Sequence, residues 1–501
     1  MSSFFPIKRN IDSLLAAAAG FTIILFFTRH GGIGIEPDSV EYLSVAENLH
    51  AKGELVDFTG APLVDFPAFY PFFLSCFMWV TGLNPLNFAP LLNALLFSLV
   101  IILAGYIMDR FVYTSRVYKW AILTCIVISP CLLEVYSMLM SESLFLLLLL
   151  LFIISIHRYS FSFSRRALFA AILCAALASV TRYAGITLIA TGGILLLINS
   201  KVPLRKKLID VLLYALLSPS LLIINLARNH IVSGNLTGGR EISTTSLREN
   251  IHDAGSVLYD WLPFLQGHYR GAGILFIIVI AGLVFLCINN YRHIQNFATY
   301  ENIATSFSLL YLLFMVSIAS VSRFETLNSR FLAPVFIPLL WCSSYWIVPL
   351  FQKTGRSGRI LVLVAAGCMF CLFQYGQLAW DAETWDGVKD AGIPGYTEDQ
   401  WRYSETVQFI KNDSLLFRKD FTVYSDASDA IFFFTGKVGQ FLPHRQYPPG
   451  IKEFLSNRHC YVVWFDDGEN TDLVDKAFIT GTKKMKLLKQ FNDGAVYVYD
   501  Q

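Results

Sequence analysis

Residues 137–152 have the sequence SMLMSESLFLLLLLLF, in which one acidic residue, Glu142, stands just before a long apolar run. A carboxylate deep in a bilayer costs about 2.5 to 3.5 kcal/mol on insertion scales. We therefore expect Glu142 at the mouth of a membrane helix or facing a wet cavity, and acids in such positions are functional candidates. The alternative is a solvated Glu that interacts with the positive end of the helix dipole.

The rest of the chain has the same apolar character. Of its 501 residues, 55% are hydrophobic and 15% are charged, whereas an ordinary soluble domain has about 25% charged residues. Apolar runs recur from Ile11 to Leu378, and mixed sequence follows to Gln501. The sequence therefore predicts an α-helical polytopic membrane protein with a transmembrane domain over 1–379 and a small C-terminal α/β domain over 380–501. The net charge of +2 does not indicate nucleic-acid binding, which usually needs a concentrated basic face.

Eleven membrane crossings are predicted, because a spanning helix needs about 20 apolar residues. The stretch between Arg165 and Lys201 is interrupted at 181–183 and is expected to form a hairpin of two short helices. Segment 66–82 contains two prolines and is predicted to lie in the membrane interface; a twelfth crossing there would invert every later loop. The remaining predicted crossings cover residues 12–28, 90–108, 120–137, 141–157, 208–227, 271–289, 303–321, 331–350 and 360–378.

Basic residues concentrate in alternate loops, as is typical of the cytoplasmic side. This pattern predicts a plasma (inner) membrane protein with a cytoplasmic N-terminus. The long first loop, 29–89, and the C-terminal domain are then extracytoplasmic. The basic residues of the predicted inner loops are Lys8, Arg9, Arg110, Arg116, Lys119, Arg158, Arg165, Arg166, Lys201, Arg205, Lys206, Lys207, Arg292, Lys353, Arg356 and Arg359.

The predicted outer face also carries polar residues. In the first loop, apolar residues from Val40 to Leu49 can form one face of a short helix capped by Asp38 or Ser39. Arg182, Arg228 and Arg330 lie at predicted outer helix ends, and an arginine fork suits phosphate because its donors are planar and bidentate. For each arginine, the alternative is snorkelling to lipid headgroups.

Several short stretches occur in the order shown by bacterial GT-C glycosyltransferases, which this chain resembles over about residues 10–350. The family includes relatives of the dolichyl-phosphate-mannose protein mannosyltransferases and the lipid A aminoarabinose transferases. The matching stretches are PDSVEYLSVAENL, PAFYPFFLS, GLNPLNFAPLLNALLF, SESLFLLLLLLF, SVTRYAGITLI, INLARNHIVSG and SRFLAPVFIPLL.

This resemblance implies an enzyme that transfers a sugar from a polyprenyl-phosphate carrier to a glycan, lipid or protein acceptor among the membrane lipids. Asp38 matches the acid of the first loop that carries the chemistry in the family. Glu142 matches a later acid that contacts either a divalent metal ion or the acceptor. Asp65 lies near another acidic position, but Phe66 and Pro67 follow it here, where the aminoarabinose group has Lys-Pro.

A single in-line displacement with inversion is the expected mechanism. Asp38 is the predicted general base, and the three arginines would hold the departing phosphate. Tyr42, Tyr70 and Tyr183 are candidates to contact the sugar or the lipid, although aromatic belts at the membrane interface explain them as well.

Two other classes of protein remain open at this point. A transporter or flippase of lipid-linked glycans would also have charges within a helical bundle, although such proteins often contain repeats and none is visible. A polysaccharide polymerase or ligase would rely on outer-loop arginines without a first-loop acid. In the C-terminal domain, residues 418–436, 459–468 and 485–501 predict strand–turn–helix, a strand, and a hairpin closed by Asn-Asp-Gly.

Overall fold

The computed structural model describes residues 10–112, 115–240, 242–262, 267, 269–292, 297–323, 325–345, 347, 355–412, 420–466 and 472–500. The predicted inner-loop residues Lys8, Arg9 and Lys353 lie outside this part, as do the side chains of Arg356 and Arg359. The chain forms two compact units. The helical unit contains residues 1–27, 62–73 and 86–386, and the α/β unit contains residues 28–61, 74–85 and 387–501.

Helices follow one another through the first 391 residues. In chain order they are α1 (Ile11–Phe27), α2 (Pro37–Lys52), α3 (Phe69–Thr81), α4 (Pro85–Met108), α5 (Arg116–Val127), α6 (Pro130–Ser137), α7 (Glu142–Ser162), α8 (Arg165–Thr181), α9 (Ile186–Ile198), α10 (Leu204–Leu217), α11 (Ser220–Ser233), α12 (Leu247–Asp260), α13 (Ala272–Arg292), α14 (Tyr300–Val321), α15 (Ser329–Cys342) and α16 (Arg356–Ala391). The predicted domain boundary at 379/380 stays a prediction, and α16 continues across it without a break.

By length and apolar composition, six helices of the described residues can cross a membrane, or seven if the bent pair α5 and α6 forms one span. These six are α4, α7, α14, the joined α10 and α11, Tyr269–Arg292, and residues 360–391 of α16. The predicted number of eleven is not confirmed, because α1, α8, α9 and α15 have only 13 to 17 residues. The predicted interfacial segment contains the 13-residue helix α3, and its depth in the membrane stays a prediction.

The predicted hairpin between Arg165 and Lys201 is confirmed as two helices. Helix α8 ends at Thr181, a 3₁₀ turn covers Tyr183–Gly185, and α9 begins directly after it. A Cβ atom at Gly185 would lie 2.4 Å from the backbone of Ala178. Glycine therefore lets the chain turn back closely against the end of α8.

Lys119 is buried, although it belongs to the loop residues on which the orientation was based. It is 3% exposed, and its Nζ donates to Asp12 at 2.9 Å and to Asp109 at 3.0 Å. Its charge is thus paired inside the helical unit and ties α1 to the chain around α5. Lys119 therefore adds little to the exposed positive charge of that loop.

Helix α12 has no counterpart among the predicted segments. Ser246 and Glu249 form a capping box at its start, in which Ser246 Oγ accepts from the Glu249 N–H at 3.3 Å and Glu249 Oε2 accepts from the Ser246 N–H at 2.7 Å. Helix α12 contains no long apolar run, so apolar runs alone do not predict it. The Ser-x-x-Glu spacing is nevertheless a helix-start signal.

Within its described residues, the α/β unit has the strands β1 (Thr422–Ser425), β2 (Gln440–Phe441), β3 (His459–Phe465), β4 (Lys486–Gln490) and β5 (Gly494–Asp500). They form one five-stranded sheet with the order β2-β1-β3-β5-β4. Strand β1 pairs parallel with β2 and β3, while β5 pairs antiparallel with β3 and β4. The predicted strand–turn–helix, strand and terminal hairpin are all present. The helices of this unit are α17 (Asp399–Arg402), α18 (Glu405–Asn412), α19 (Ser428–Thr435) and α20 (Pro448–Ser456). Residues 418, 419, 467, 468 and 501 of the predicted segments lie outside the described residues.

The first part of the first loop, residues 29–61, belongs to this α/β unit, and backbone contacts just before α2 hold it there. Ile35 O accepts from Tyr396 N at 2.8 Å, and Ile33 O accepts from Thr397 Oγ1 at 2.9 Å. A Cβ atom at Gly395 would lie 2.3 Å from Ile35 O, so this close approach requires glycine. These contacts fix the start of α2, where Asp38 is found.

Candidate functional site

Glu142, Arg182 and Arg330 meet in the helical unit. Glu142 is the first residue of α7 and is 1% exposed. Its Oε2 lies 2.5 Å from Arg182 Nη1, and its Oε1 lies 3.6 Å from Arg330 Nε. Arg182 directly follows α8, and Arg330 lies in the first turn of α15. Three residues far apart in the sequence thus form one charged cluster at helix ends.

The two arginines are directed into the bundle. Arg330 is 5% exposed, and its Nη2 also lies 3.4 Å from Glu325, whose side chain is 68% exposed. Snorkelling to lipid headgroups does not fit this placement. Glu142 likewise differs from a solvated helix-end residue, because its buried carboxylate faces two guanidinium groups.

The turn before α7 forms part of the same cluster. Arg182 Nη1 donates to Ser141 Oγ at 3.1 Å, and Arg330 Nη1 lies 3.4 Å from Met140 Sδ. Both guanidinium groups are therefore held in fixed orientations. Fixed, partly dry positive charge is the environment in which an anionic group is stabilised most strongly.

A divalent metal ion at Glu142 stays a prediction, and this geometry does not fit it. Two guanidinium groups already contact the carboxylate, so a metal ion would be a third cation beside them. Among the described residues, no three His, Cys, Asp or Glu side chains come together in a way that could hold a metal ion.

A second group of polar side chains holds the backbone of residues 63–65. Arg228 Nη1 donates to Leu63 O. Tyr183 Oη donates to Val64 O at 3.1 Å, and Asn229 Nδ2 donates to the same oxygen at 3.3 Å. Two predicted ligand contacts, Arg228 and Tyr183, therefore also position the chain of the first loop.

Arg240 continues this arrangement at the next residue. Its Nη2 donates to the carbonyl oxygen of Asp65 at 2.9 Å, and its Nε donates to Thr237 O at 3.0 Å. The Asp65 side chain is exposed. A Cβ atom at Gly238 would lie 1.7 Å from Asp65 Oδ1, and Gly238 has a φ of +78°. The turn at Gly238 thus provides a niche for the Asp65 carboxylate.

Asp38 and Tyr42 belong to the α/β unit. Asp38 is the second residue of α2 and is half-buried, while Tyr42 is 3% exposed. The predicted cap at Asp38 or Ser39 is wrong: the N-cap is Glu36, whose N–H donates to Ser39 Oγ at 3.2 Å. Pro37 at the first helical position places the helix start two to three residues earlier than expected. Asp38 is therefore not committed to capping.

Tyr70, in α3, is 1% exposed and belongs to the helical unit. Sequence reasoning missed Asn229, which is 0% exposed, and Arg240. The sequence offered weak signals for both. Arg240 follows two glycines after a helix end, and Asn229 directly follows Arg228 in α11.

Two crystal structures of ArnT from Cupriavidus metallidurans are similar to this chain. The apo structure is 12% identical, with a TM-score of 0.58 and 97% of each chain covered. The structure bound to undecaprenyl phosphate is 10% identical, with a TM-score of 0.57 and coverage of 99% of this chain and 98% of ArnT. No model of a protein family and no curated protein matches the sequence. The chain therefore has the ArnT-like GT-C fold that the order of its motifs predicts.

Proposed function

We propose that this protein is a membrane glycosyltransferase that moves a sugar from a polyprenyl-phosphate carrier to an acceptor on the outer side of the membrane. The buried cluster of Glu142, Arg182 and Arg330 carries the proposal, because it occurs in an ArnT-like fold. ArnT was crystallised with undecaprenyl phosphate, which supports a lipid-phosphate donor here. The acceptor is a glycan, a lipid or a protein.

Arg182 and Arg330 would hold the phosphate of the donor. When the sugar leaves, the bond between its anomeric carbon and the phosphate oxygen breaks, and the electron pair stays on the phosphate. Guanidinium groups stabilise this developing charge through charge-assisted hydrogen bonds. Glu142 would keep both arginines oriented before the donor arrives, and Arg228 would add a third guanidinium group.

The segment 63–65 would supply the second group of donor contacts. Arg240 presents a guanidinium group that is held by two neutral carbonyl oxygens, and this orientation suits binding of an anion or of sugar hydroxyls. Asp65, in the niche formed by Gly238, would accept hydrogen bonds from the sugar. Tyr70 and Tyr183 would line the path of sugar and lipid.

Asp38 would act as the general base, and Tyr42 would support its helix. The acceptor hydroxyl attacks the anomeric carbon from the face opposite the phosphate, and its proton passes to the Asp38 carboxylate. A base must lie about 2.6 to 3.2 Å from that proton's oxygen, or be one water away. The single displacement inverts the anomeric configuration and releases the polyprenyl phosphate.

The test is an assay of the purified protein with a panel of polyprenyl-phosphate sugars, in which release of polyprenyl phosphate is measured. Arg330→Gln is compared with Glu325→Gln, which removes only the exposed partner of the same arginine. We expect the first change to lower release about 100-fold, as loss of one preorganised donor typically does, and the second to change it little. Movement of intact donor across proteoliposomes without release would favour a transporter.

A further inference from the structure

A second group of cations lies at the other end of the helical unit, where the predicted inner loops are. Arg110 follows α4 and Arg158 lies near the end of α7. Both contact Tyr106: Arg158 Nη2 donates to its hydroxyl at 3.0 Å, and Arg110 Nη1 donates to its carbonyl oxygen at 2.7 Å. The Arg110 guanidinium also lies 3.5 Å from the Tyr106 ring centroid. One tyrosine thus brings two guanidinium groups together.

His157 adds a third nitrogen-bearing group to this cluster. Its ring stacks on Tyr300 with the centroids 3.6 Å apart and an interplanar angle of 11°. Tyr106 and Tyr300 are 9% and 1% exposed, so both supporting rings are fixed in the bundle. Arg110 and Arg158 themselves are exposed. The two guanidinium groups therefore lie on a rigid aromatic wall and face outward.

The acidic residues nearby are bound to other groups. Asp109 contacts Lys119 at 3.0 Å, and Glu301, which is 1% exposed, accepts from the Val112 N–H at 2.8 Å. Within the described part of the chain, Arg110 makes no ion pair. The surface around Tyr106 is therefore positively charged despite these two carboxylates.

Apolar side chains border the cations at the same level. Val112 and Phe161 are 49% and 66% exposed, and the Phe161 ring lies 4.9 Å from the ring of His157. A free phosphate ion makes no favourable contact with such an apolar surface, whereas a phospholipid has acyl chains next to its phosphate. This combination favours a lipid over a soluble anion.

We propose that Arg110, Arg158 and His157 bind the phosphate of an anionic phospholipid headgroup. Basic pockets between membrane helices at the cytoplasmic surface bind such headgroups, and guanidinium groups contact phosphate oxygens in pairs. The site is separate from the cluster of Glu142, Arg182 and Arg330, because Arg158 lies about 24 Å along α7 from Glu142 at 1.5 Å per residue. It does not depend on the proposed function.

The experiment is native mass spectrometry of the full-length protein after extraction from bilayers of phosphatidylglycerol and phosphatidylcholine. Wild type should retain phosphatidylglycerol preferentially. Arg110→Gln/Arg158→Gln should retain about tenfold less, since charge-assisted hydrogen bonds to the phosphate are lost. The matched control is Arg165→Gln/Arg166→Gln, which removes two exposed arginines at the same end of the unit and should leave retention unchanged.

Equal loss in the control would overturn the proposal, because general attraction to a basic surface would then explain retention. Displacement of the lipid by inorganic phosphate at millimolar concentration would also overturn it in favour of a free-anion site. If the double variant is unstable, thermal melting of the wild-type protein tests the lipid site instead. Phosphatidylglycerol should raise its melting temperature, phosphatidylcholine and inorganic phosphate should not, and an equal rise with all three would refute the lipid site.

Discussion

Replacing Glu142 with Gln tests whether the buried cluster is an ion-paired unit. The substitution keeps the shape of the side chain and removes its charge, while Arg182 and Arg330 remain. Glu142 is 1% exposed and lies 2.5 and 3.6 Å from the two guanidinium groups. Removing one partner from a buried ion pair costs about 3 to 5 kcal/mol, because the remaining charge stays buried without compensation.

Glu325→Gln is the matched control, because Glu325 contacts the same Arg330 at 3.4 Å from a side chain that is 68% exposed. An exposed pair contributes only about 0 to 1 kcal/mol. We expect Glu142→Gln to lower the melting temperature by about 3 °C or more and Glu325→Gln by about 1 °C or less, at about 1 °C per kcal/mol for a chain of this length.

The assay is thermal unfolding in detergent, followed by tryptophan fluorescence. The double variant Glu142→Gln/Arg330→Gln should be less destabilised than the sum of its single variants, with a coupling of about 1 to 3 kcal/mol. Equal melting of Glu142→Gln and Glu325→Gln, or strict additivity in the double variant, would refute the ion-paired cluster.

Two further changes probe other parts of the protein. Gly238→Ala should lower sugar transfer about 10- to 100-fold, because the added methyl group displaces the Asp65 carboxylate. The control is Gly239→Ala, which should leave transfer unchanged because nothing lies within 4 Å of its Cβ position. Equal activity of the two variants would contradict a role for the Gly238 turn in placing Asp65. Burial raises the pKa of Asp426 to about 7. Because this folded-state pKa exceeds the unfolded value, its contribution to stability is full below the unfolded pKa of about 4 and is lost progressively as pH rises from about 4 to about 7. We expect the α/β unit to be about 2.5 kcal/mol less stable at pH 8 than at pH 5. Hydrogen exchange of β1 and β3, corrected for intrinsic rates, measures this difference in stability. Asp426→Asn should abolish the difference. A pH dependence that persists in Asp426→Asn would mean that another group causes it.

Local sequence signals predicted the elements well. The interruption at 181–183 predicted the break between α8 and α9, and the Asn-Asp-Gly turn predicted the terminal hairpin. Polar residues at the ends of apolar runs identified Glu142, Arg182 and Arg330. Each of these features depends on neighbours in the sequence, so composition and spacing were sufficient.

Features that depend on tertiary contacts could not be predicted in this way. The pairing of Arg330 with Glu142 joins residues nearly 190 positions apart, and the spacing of residues in one sequence does not reveal which distant residues come into contact. Arg228 could equally have faced lipid or ligand, and only the fold shows its bond to the Leu63 backbone. Lys119 was assigned to the loop surface because spacing does not reveal its burial between two aspartates.

The most direct test of the proposed reaction is transfer of sugar from a polyprenyl-phosphate donor by wild type and by Asp38→Asn, with donor binding measured on the same samples. Asp38→Asn should bind the donor as wild type does and release almost no polyprenyl phosphate. Undiminished release by this variant would contradict Asp38 as the base, and the absence of release from every donor with wild type would contradict the assigned reaction.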